Sequence, residues 1–214
     1  MGKYVQYGCG QIAPDEWINF DVSPTLRLQK VPLFRLFLKP FFDVNFPKNA
    51  KYGNIVRGLP GISKNSCDAV FCSHVLEHLS LYTCRIALKN TYKILKPGGV
   101  FRVILPDLWP CIKKYIKEYK QEDTSASINF INCTMMGTEK RLLGLKAMLK
   151  ANFGSEAHLW MWDKYSFAEE IKKAGFKTVA KTGANFIVAT FGIPTAVNAA
   201  DKTVEKIKRK TAKK

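Results

Sequence analysis

The sequence predicts an α/β chain built on one doubly wound, mostly parallel, seven-stranded sheet that closes with an antiparallel hairpin. Three observations predict it. Short β-branched or aromatic runs alternate with stretches of helical spacing along the chain. Two of those runs, Asp68–Cys72 and Val100–Leu105, are continuously apolar, as strands buried on both faces are. The closing pair Thr178–Lys181 and Asn185–Phe191, joined across Gly183, has the pattern of a hairpin. Strands alternating with helices, then a hairpin, argue for a parallel sheet with an antiparallel edge.

Taken in order, Lys3–Tyr7 is the first expected strand, ended by Gly8 and Gly10. Trp17–Asp21 is the second, and Asn54–Val56 a weak third. Leu81–Leu95 carries Ile86, Leu88, Ile94 and Leu95 at helical spacing and stops at Lys96-Pro97-Gly98-Gly99, a helix-end and turn signal. Beyond Asp107, Ile112, Tyr115, Ile116 and Tyr119 place a helix over Cys111–Tyr119. Lys140–Lys150 and Asp163–Ala174 are further helices, the latter ending at Gly175.

A chain of 214 residues with 47% hydrophobic side chains is long and apolar enough for one packed domain, expected over residues 1–195. Residues 196–214 form a basic tail or helix; from Asp201 to Lys214 it holds seven Lys/Arg against two acids. The net charge of +17 leaves nucleic acid open as a partner without favouring it, since the charge outside the tail is scattered. No transmembrane segment is expected. The most apolar stretch, Val31 to Phe46, is interrupted by Arg35, Lys39, Asp43 and prolines, and its phenylalanines read as packing over a sheet face. No secretory leader is read at the N-terminus, and whether the chain is a piece of a longer protein stays open. None of the six cysteines forms a CxxC pair, so free buried thiols and a reducing, cytoplasmic setting are expected.

The chemistry-bearing residues gather at the expected strand ends. Gly8-Cys9-Gly10 after the first strand allows a ligand close to the backbone, and Asp21 after the second has the position of an acid that accepts two ribose hydroxyls. A turn or cap before Ser23-Pro24 is the competing role for Asp21. A dinucleotide-binding GxGxxG with its long following helix is missing, which disfavours a dehydrogenase.

The run Cys67-Asp68-Ala69-Val70-Phe71-Cys72-Ser73-His74-Val75-Leu76-Glu77-His78-Leu79, followed by Ile94-Leu95-Lys96-Pro97-Gly98-Gly99 and a strand, resembles the class I S-adenosylmethionine-dependent methyltransferases of the type-11 group. The resemblance spans roughly Tyr4 to Phe176 and implies the Rossmann-like methyltransferase fold with S-adenosylmethionine as cofactor. By that resemblance Tyr7, Gly8, Cys9 and Gly10 line the methionine part, Asp21 and Val22 hold the ribose, Gly58 and Leu59 flank the adenine, and Ser73 with His74 close the site. Only eleven positions separate Gly10 from Asp21, too few for the usual first helix; a glycan-associated subgroup of methyltransferases has a similar contraction. The acid that many relatives carry after the third strand is not evident, Arg57-Gly58-Leu59 standing there instead.

The implied reaction is O-methylation of a sugar hydroxyl on a glycan or nucleotide-sugar, with RNA or a small molecule as alternative acceptors and a non-catalytic binding module of the same fold as a further alternative. His74, His78, Asp107 and His158 are the candidate catalytic residues. His158 lies in the aromatic segment His158-Leu159-Trp160-Met161-Trp162-Asp163, suited to stacking on a sugar or to core packing. Plant small-RNA 2′-O-methyltransferases and ubiquinone-biosynthesis O-methyltransferases bind a divalent ion through an ExxEH pattern. Here Glu77 and His78 match it and His74 replaces the first acid, so a metal is an unfavoured option.

Overall fold

The structure is a computed structural model that describes residues 2–29, 46–138, 157–181 and 186–190. The strands are β1 (Tyr4–Tyr7), β2 (Ile18–Asp21), β3 (Lys51–Tyr52), β4 (Cys67–Ser73), β5 (Leu95–Ile104), β6 (Thr178–Lys181) and β7 (Phe186–Thr190). The helices are α1 (Pro24–Gln29), α2 (Leu81–Ile94), α3 (Leu108–Lys120), α4 (Ala126–Thr134) and α5 (Lys164–Lys173). They build one sheet in the order β3-β2-β1-β4-β5-β7-β6. The first five strands run parallel, while β7 lies antiparallel to β5 and to β6. The order reverses between β1 and β4, and in such sheets ligands bind outside the carboxyl ends of the strands at that point.

The core sits on the face where Val5 and Tyr7 of β1, Val70 and Cys72 of β4, and Phe101 and Val103 of β5 are buried. Helix α2 covers it with Cys84, Ala87, Leu88, Thr91 and Ile94, an i, i+3, i+4, i+7 stripe. Ser80 caps this helix by accepting from the Thr83 amide. Helix α5 adds Phe167 and Ile171 and starts at a capping box between Asp163 and Ser166. Arg85 of α2 meets Glu170 of α5 through two parallel bonds of 2.7 and 2.8 Å, which fix the two helices side by side.

The contracted segment between β1 and β2 forms no helix, and its backbone needs other partners. Three amide side chains supply them. Gln6 donates to the Ile12 carbonyl, Asn19 to those of Pro14 and Trp17, and Asn49 to that of Ala13. Below this loop α1 and its surroundings make a second small core of Cys9, Leu26, Phe46 and Ala50.

Several expectations change. The third strand is Lys51–Tyr52; Asn54 instead bridges Gly58 across a tight turn. Lys96-Pro97-Gly98-Gly99 belongs to β5, where a register irregularity against Cys67 and Ala69 absorbs the turn-like Gly98 at φ +81°. Helices α1 and α4 were not expected, because neither has a periodic apolar stripe long enough to stand out. Lys140–Lys150, most of Val31–Phe46 and the basic tail lie outside the described residues. The expectation of six free thiols is corrected. Cys9, Cys67, Cys72 and Cys84 are free and buried, but Cys111 and Cys133 form a disulfide joining α3 to α4. The two cysteines lie 22 positions apart on consecutive helices and form no CxxC pair that would mark them in sequence, and the cytoplasmic expectation loses the thiol count on which it rested. Among the described residues no helix is long and apolar enough to cross a membrane.

Two predictions follow from these contacts. Hydrogen bonds from Arg85 hold the Glu170 carboxyl below its ordinary value, and Lys96, with the Lys3 amide, does the same for Asp68. Both depressed carboxyls contribute stability that is present above the unfolded carboxylate range and lost as pH falls through the folded values. Unfolding midpoints in urea should therefore decline below about pH 4.5, and Glu170→Gln should flatten that decline. Thiol titration of the unfolded, unreduced chain should find four groups, rising to six on reduction. The disulfide closes a loop of 22 residues, so reducing it should cost about 2–4 kcal/mol in the same urea assay.

Candidate functional site

The carboxyl ends of β1, β2 and β4 bring Gly8–Gly10, Asp21–Val22 and Ser73–His74 to one edge of the sheet. Asp21 is the organiser of the first half. Its Oδ2 accepts from the Gly10 amide at 2.9 Å and its Oδ1 from the Ser23 amide at 2.8 Å. The carboxylate therefore serves the turn role weighed for it, while each oxygen keeps a lone pair for a further donor. Cys9 adds a bond from its amide to the Phe20 carbonyl, so the glycine turn is tied to β2 from both sides.

The two glycines of this turn do different work. Gly8, at φ +68°, is packed so tightly that a Cβ would collide with Val75 Cγ2. Gly10, at φ +52°, faces open space among the described residues. So does Gly58, at φ +95°, in the loop after β3. Tyr7 and Cys9 send their side chains into the two cores, where the Tyr7 hydroxyl meets Thr91 Oγ1 at 3.2 Å. What these two residues offer a ligand is backbone. Leu59 is likewise core, 5% exposed, whereas Val22 is half exposed beside Asp21.

The second half is built around Glu77. It lies in a 3₁₀ turn, Leu76–His78, and is fully buried. Its Oε1 is 3.2 Å from His74 Nδ1, and its Oε2 has no hydrogen-bond partner among the described residues. Its backbone carbonyl accepts from both the Leu159 and Trp160 amides, at 2.8 and 3.1 Å. His74 ends β4 in a left-handed conformation, φ +53°, with its amide bonded to the Ile104 carbonyl and its side chain 59% exposed.

The four candidate catalytic residues separate by environment. His74 is the exposed one. His78 points its Nδ1 at the Ala157 carbonyl, 3.2 Å away, and His158, 7% exposed, points its Nδ1 at the Thr134 carbonyl at 2.8 Å. Their rings meet edge to face at 5.1 Å. Asp107 caps α3 by accepting from the Trp109 amide, and it bridges Trp162. Sequence reasoning did not see that His158 joins Glu77 and His78; eighty positions of chain separate them, and only the folding of the 157–162 segment over the 3₁₀ turn brings them together. The neighbouring thiols are poor nucleophiles: burial pushes Cys84 up to about 12 and Cys72 higher still.

The glycines give a direct test. Gly8→Ala should destabilise the fold by about 1–3 kcal/mol through its strained φ and the clash with Val75. Gly10→Ala should cost only the left-handed penalty of about 1–2 kcal/mol. Asp21→Ala leaves the Gly10 and Ser23 amides unpaired and should cost about 2–3 kcal/mol. Thermal or urea melts of the three variants rank these effects.

Residues 46–103, from the approach to β3 through most of β5, match the family model described as "Methyltransferase domain". No curated protein matches the sequence. Among solved structures, a chain of the complex between the Haloferax volcanii Trm112 methyltransferase activator and a protein described as a methyltransferase superposes with a TM-score of 0.52 at 13% identity. That match covers 90% of this chain and 82% of the other. The CMeT domain of the citrinin polyketide synthase gives 0.50 at 15% identity, over 90% of this chain and 47% of that one. A third, an S-adenosylmethionine-dependent methyltransferase of Thermotoga maritima described as a possible histamine N-methyltransferase, gives 0.47 at 17% identity over 89% and 83%. The chain has the fold of the S-adenosylmethionine-dependent methyltransferases, and its residues 46–103 match a methyltransferase-domain model.

Proposed function

We propose that the chain transfers a methyl group from S-adenosylmethionine to a hydroxyl of a sugar, on a glycan or nucleotide-sugar. The observation that carries this reading is the pairing of exposed His74 with buried Glu77 at the mouth of β4. An ionised carboxylate only accepts, so the imidazole donates from Nδ1 and keeps the lone pair on Nε2. The carboxylate orients the ring, and Nε2 can take a proton. A hydroxyl must lose its proton on methylation, which is the service this pair provides; a neutral amine already carries a free electron pair.

The residues present fit the cofactor. Gly10 and Gly58 leave open space where side chains would stand, and Asp21 retains a lone pair on each carboxylate oxygen for ribose hydroxyls. The backbone of Gly8–Gly10 would hold the amino-acid part, Asp21 and Val22 the ribose, Gly58 with Leu59 the adenine edge, and Ser73 with His74 the side facing the acceptor. When bound, the cofactor supplies an electrophilic sulfonium methyl. The protein's part is to align the acceptor oxygen and accept its proton.

The sugar reading draws on two half-exposed indoles, Trp160 and Trp109. Trp160 is fixed by its amide to the Glu77 carbonyl. Trp109 opens α3, whose Leu108 amide bonds to the Trp162 carbonyl, so both stand near the same end of the sheet. Flat apolar faces of this kind suit sugar rings. A second reading, RNA, is favoured by Lys113, Lys114, Lys117 and Lys120 along α3 and by the net charge of +17.

Transfer of labelled methyl to panels of nucleotide-sugars, glycans and RNA tests both. The expected acceptor is a sugar, with His74→Ala lowering kcat by about 10²–10⁴. Label entering RNA alone would replace the sugar reading. Absence of S-adenosylmethionine binding by calorimetry would remove methyl transfer altogether.

A further inference from the structure

The chain has three histidines, and all three gather around one buried carboxylate. His78 and His158 each direct Nδ1 at a backbone carbonyl oxygen, an atom that can only accept. Both rings must therefore carry their proton on Nδ1, and Nε2 is the nitrogen each has left to offer. Glu77 has one oxygen occupied by His74 and one without a partner among the described residues. One ligand atom from each of Glu77, His78 and His158 lies within 4.8 Å of the others.

Such an arrangement brings three potential ligand atoms together, and among the described residues no hydrogen bond joins them to one another. A fully buried carboxylate oxygen in that position is costly unless something positive meets it. The site is also held from outside. The Leu159 and Trp160 amides bond to the Glu77 carbonyl, and the His158 amide bonds to the Met135 carbonyl at the end of α4. The imidazoles are pinned by the Ala157 and Thr134 carbonyls. A carbonyl on Nδ1 with Nε2 left free is how proteins orient histidine for a metal.

We propose that Glu77, His78 and His158 bind one divalent transition-metal ion. Two imidazoles and one carboxylate suit Zn²⁺, Fe²⁺ or Co²⁺; an oxygen-seeking Mg²⁺ or Ca²⁺ would find one carboxylate too few. Three protein ligands leave at least one coordination position open. Cys72 and Cys84 stand outside this group, which leaves the two imidazoles and the carboxylate as its ligands. His74 is outside the ligand set and touches it only through Glu77 Oε1. The site does not depend on the methyl-transfer reading.

The full chain, stripped with a chelator and titrated with Co²⁺, should take up one equivalent and develop the visible bands of a nitrogen- and oxygen-ligated ion. With Zn²⁺ in its place, long-range ¹H–¹⁵N spectra of the three imidazoles should show Nε2 of His78 and His158 moving while His74 stays put. His158→Gln and Glu77→Gln should weaken binding at least 100-fold, and His74→Gln should keep the single equivalent. Should those variants fail to fold, the imidazole spectra of the unaltered protein decide alone. Failure to bind one equivalent, binding undiminished in a folded His158→Gln variant, or intense near-ultraviolet thiolate bands would each overturn the proposal. None of these readouts involves methyl transfer, so their failure would leave that reading untouched.

Discussion

The burial of the Glu77 side chain in the turn after β4 is the constraint around which the upper half of the molecule is arranged. A carboxylate removed from water needs partners, and the distant chain packs around the turn that carries it. His74 reaches Glu77 from the strand end, and the 157–162 segment folds down onto its backbone carbonyl. That segment in turn closes α4 through His158 and starts α3 through Trp162. The backbone anchor of the aromatic segment is independent of the Glu77 side chain, but without the carboxylate His74 would lose the group that orients it.

The lower half depends on a second economy. The ten residues between Gly10 and Asp21 leave no room for a helix over β1 and β2. The structure answers with side-chain amides that satisfy a bare loop, and with α1 and Phe46 filling the space beneath it. Asp21 completes the arrangement by holding the Gly10 amide. The same carboxylate thus ties the glycine turn and the start of the Ser23 turn together through its two oxygens.

The α3–α4 unit stands somewhat apart. Its inner contacts are modest: Cys111 is buried, Tyr115 lies against Phe130, and Ile116 and Tyr119 stay exposed. A covalent link between the helices adds to this packing. Lys113, Lys114, Lys117 and Lys120 and the half-exposed Trp109 belong to α3 of this unit.

Much of the fold was legible in sequence. Continuous apolar runs marked β4 and the core of β5, helical spacing marked α2, α3 and α5, and the Gly8–Gly10 turn and Asp21 marked the ends of β1 and β2. These features are local, because period and turn chemistry are written in neighbouring residues. The sequence also singled out Glu77 with His78, and His158 separately. Only the tertiary structure decided that His158 completes their cluster, that Tyr7 and Cys9 face the cores, that Asp107 caps a helix, and that Cys111 pairs with Cys133. Each of those outcomes depends on which distant segment packs against which, a matter of long-range burial and hydrogen-bond satisfaction that no local pattern encodes.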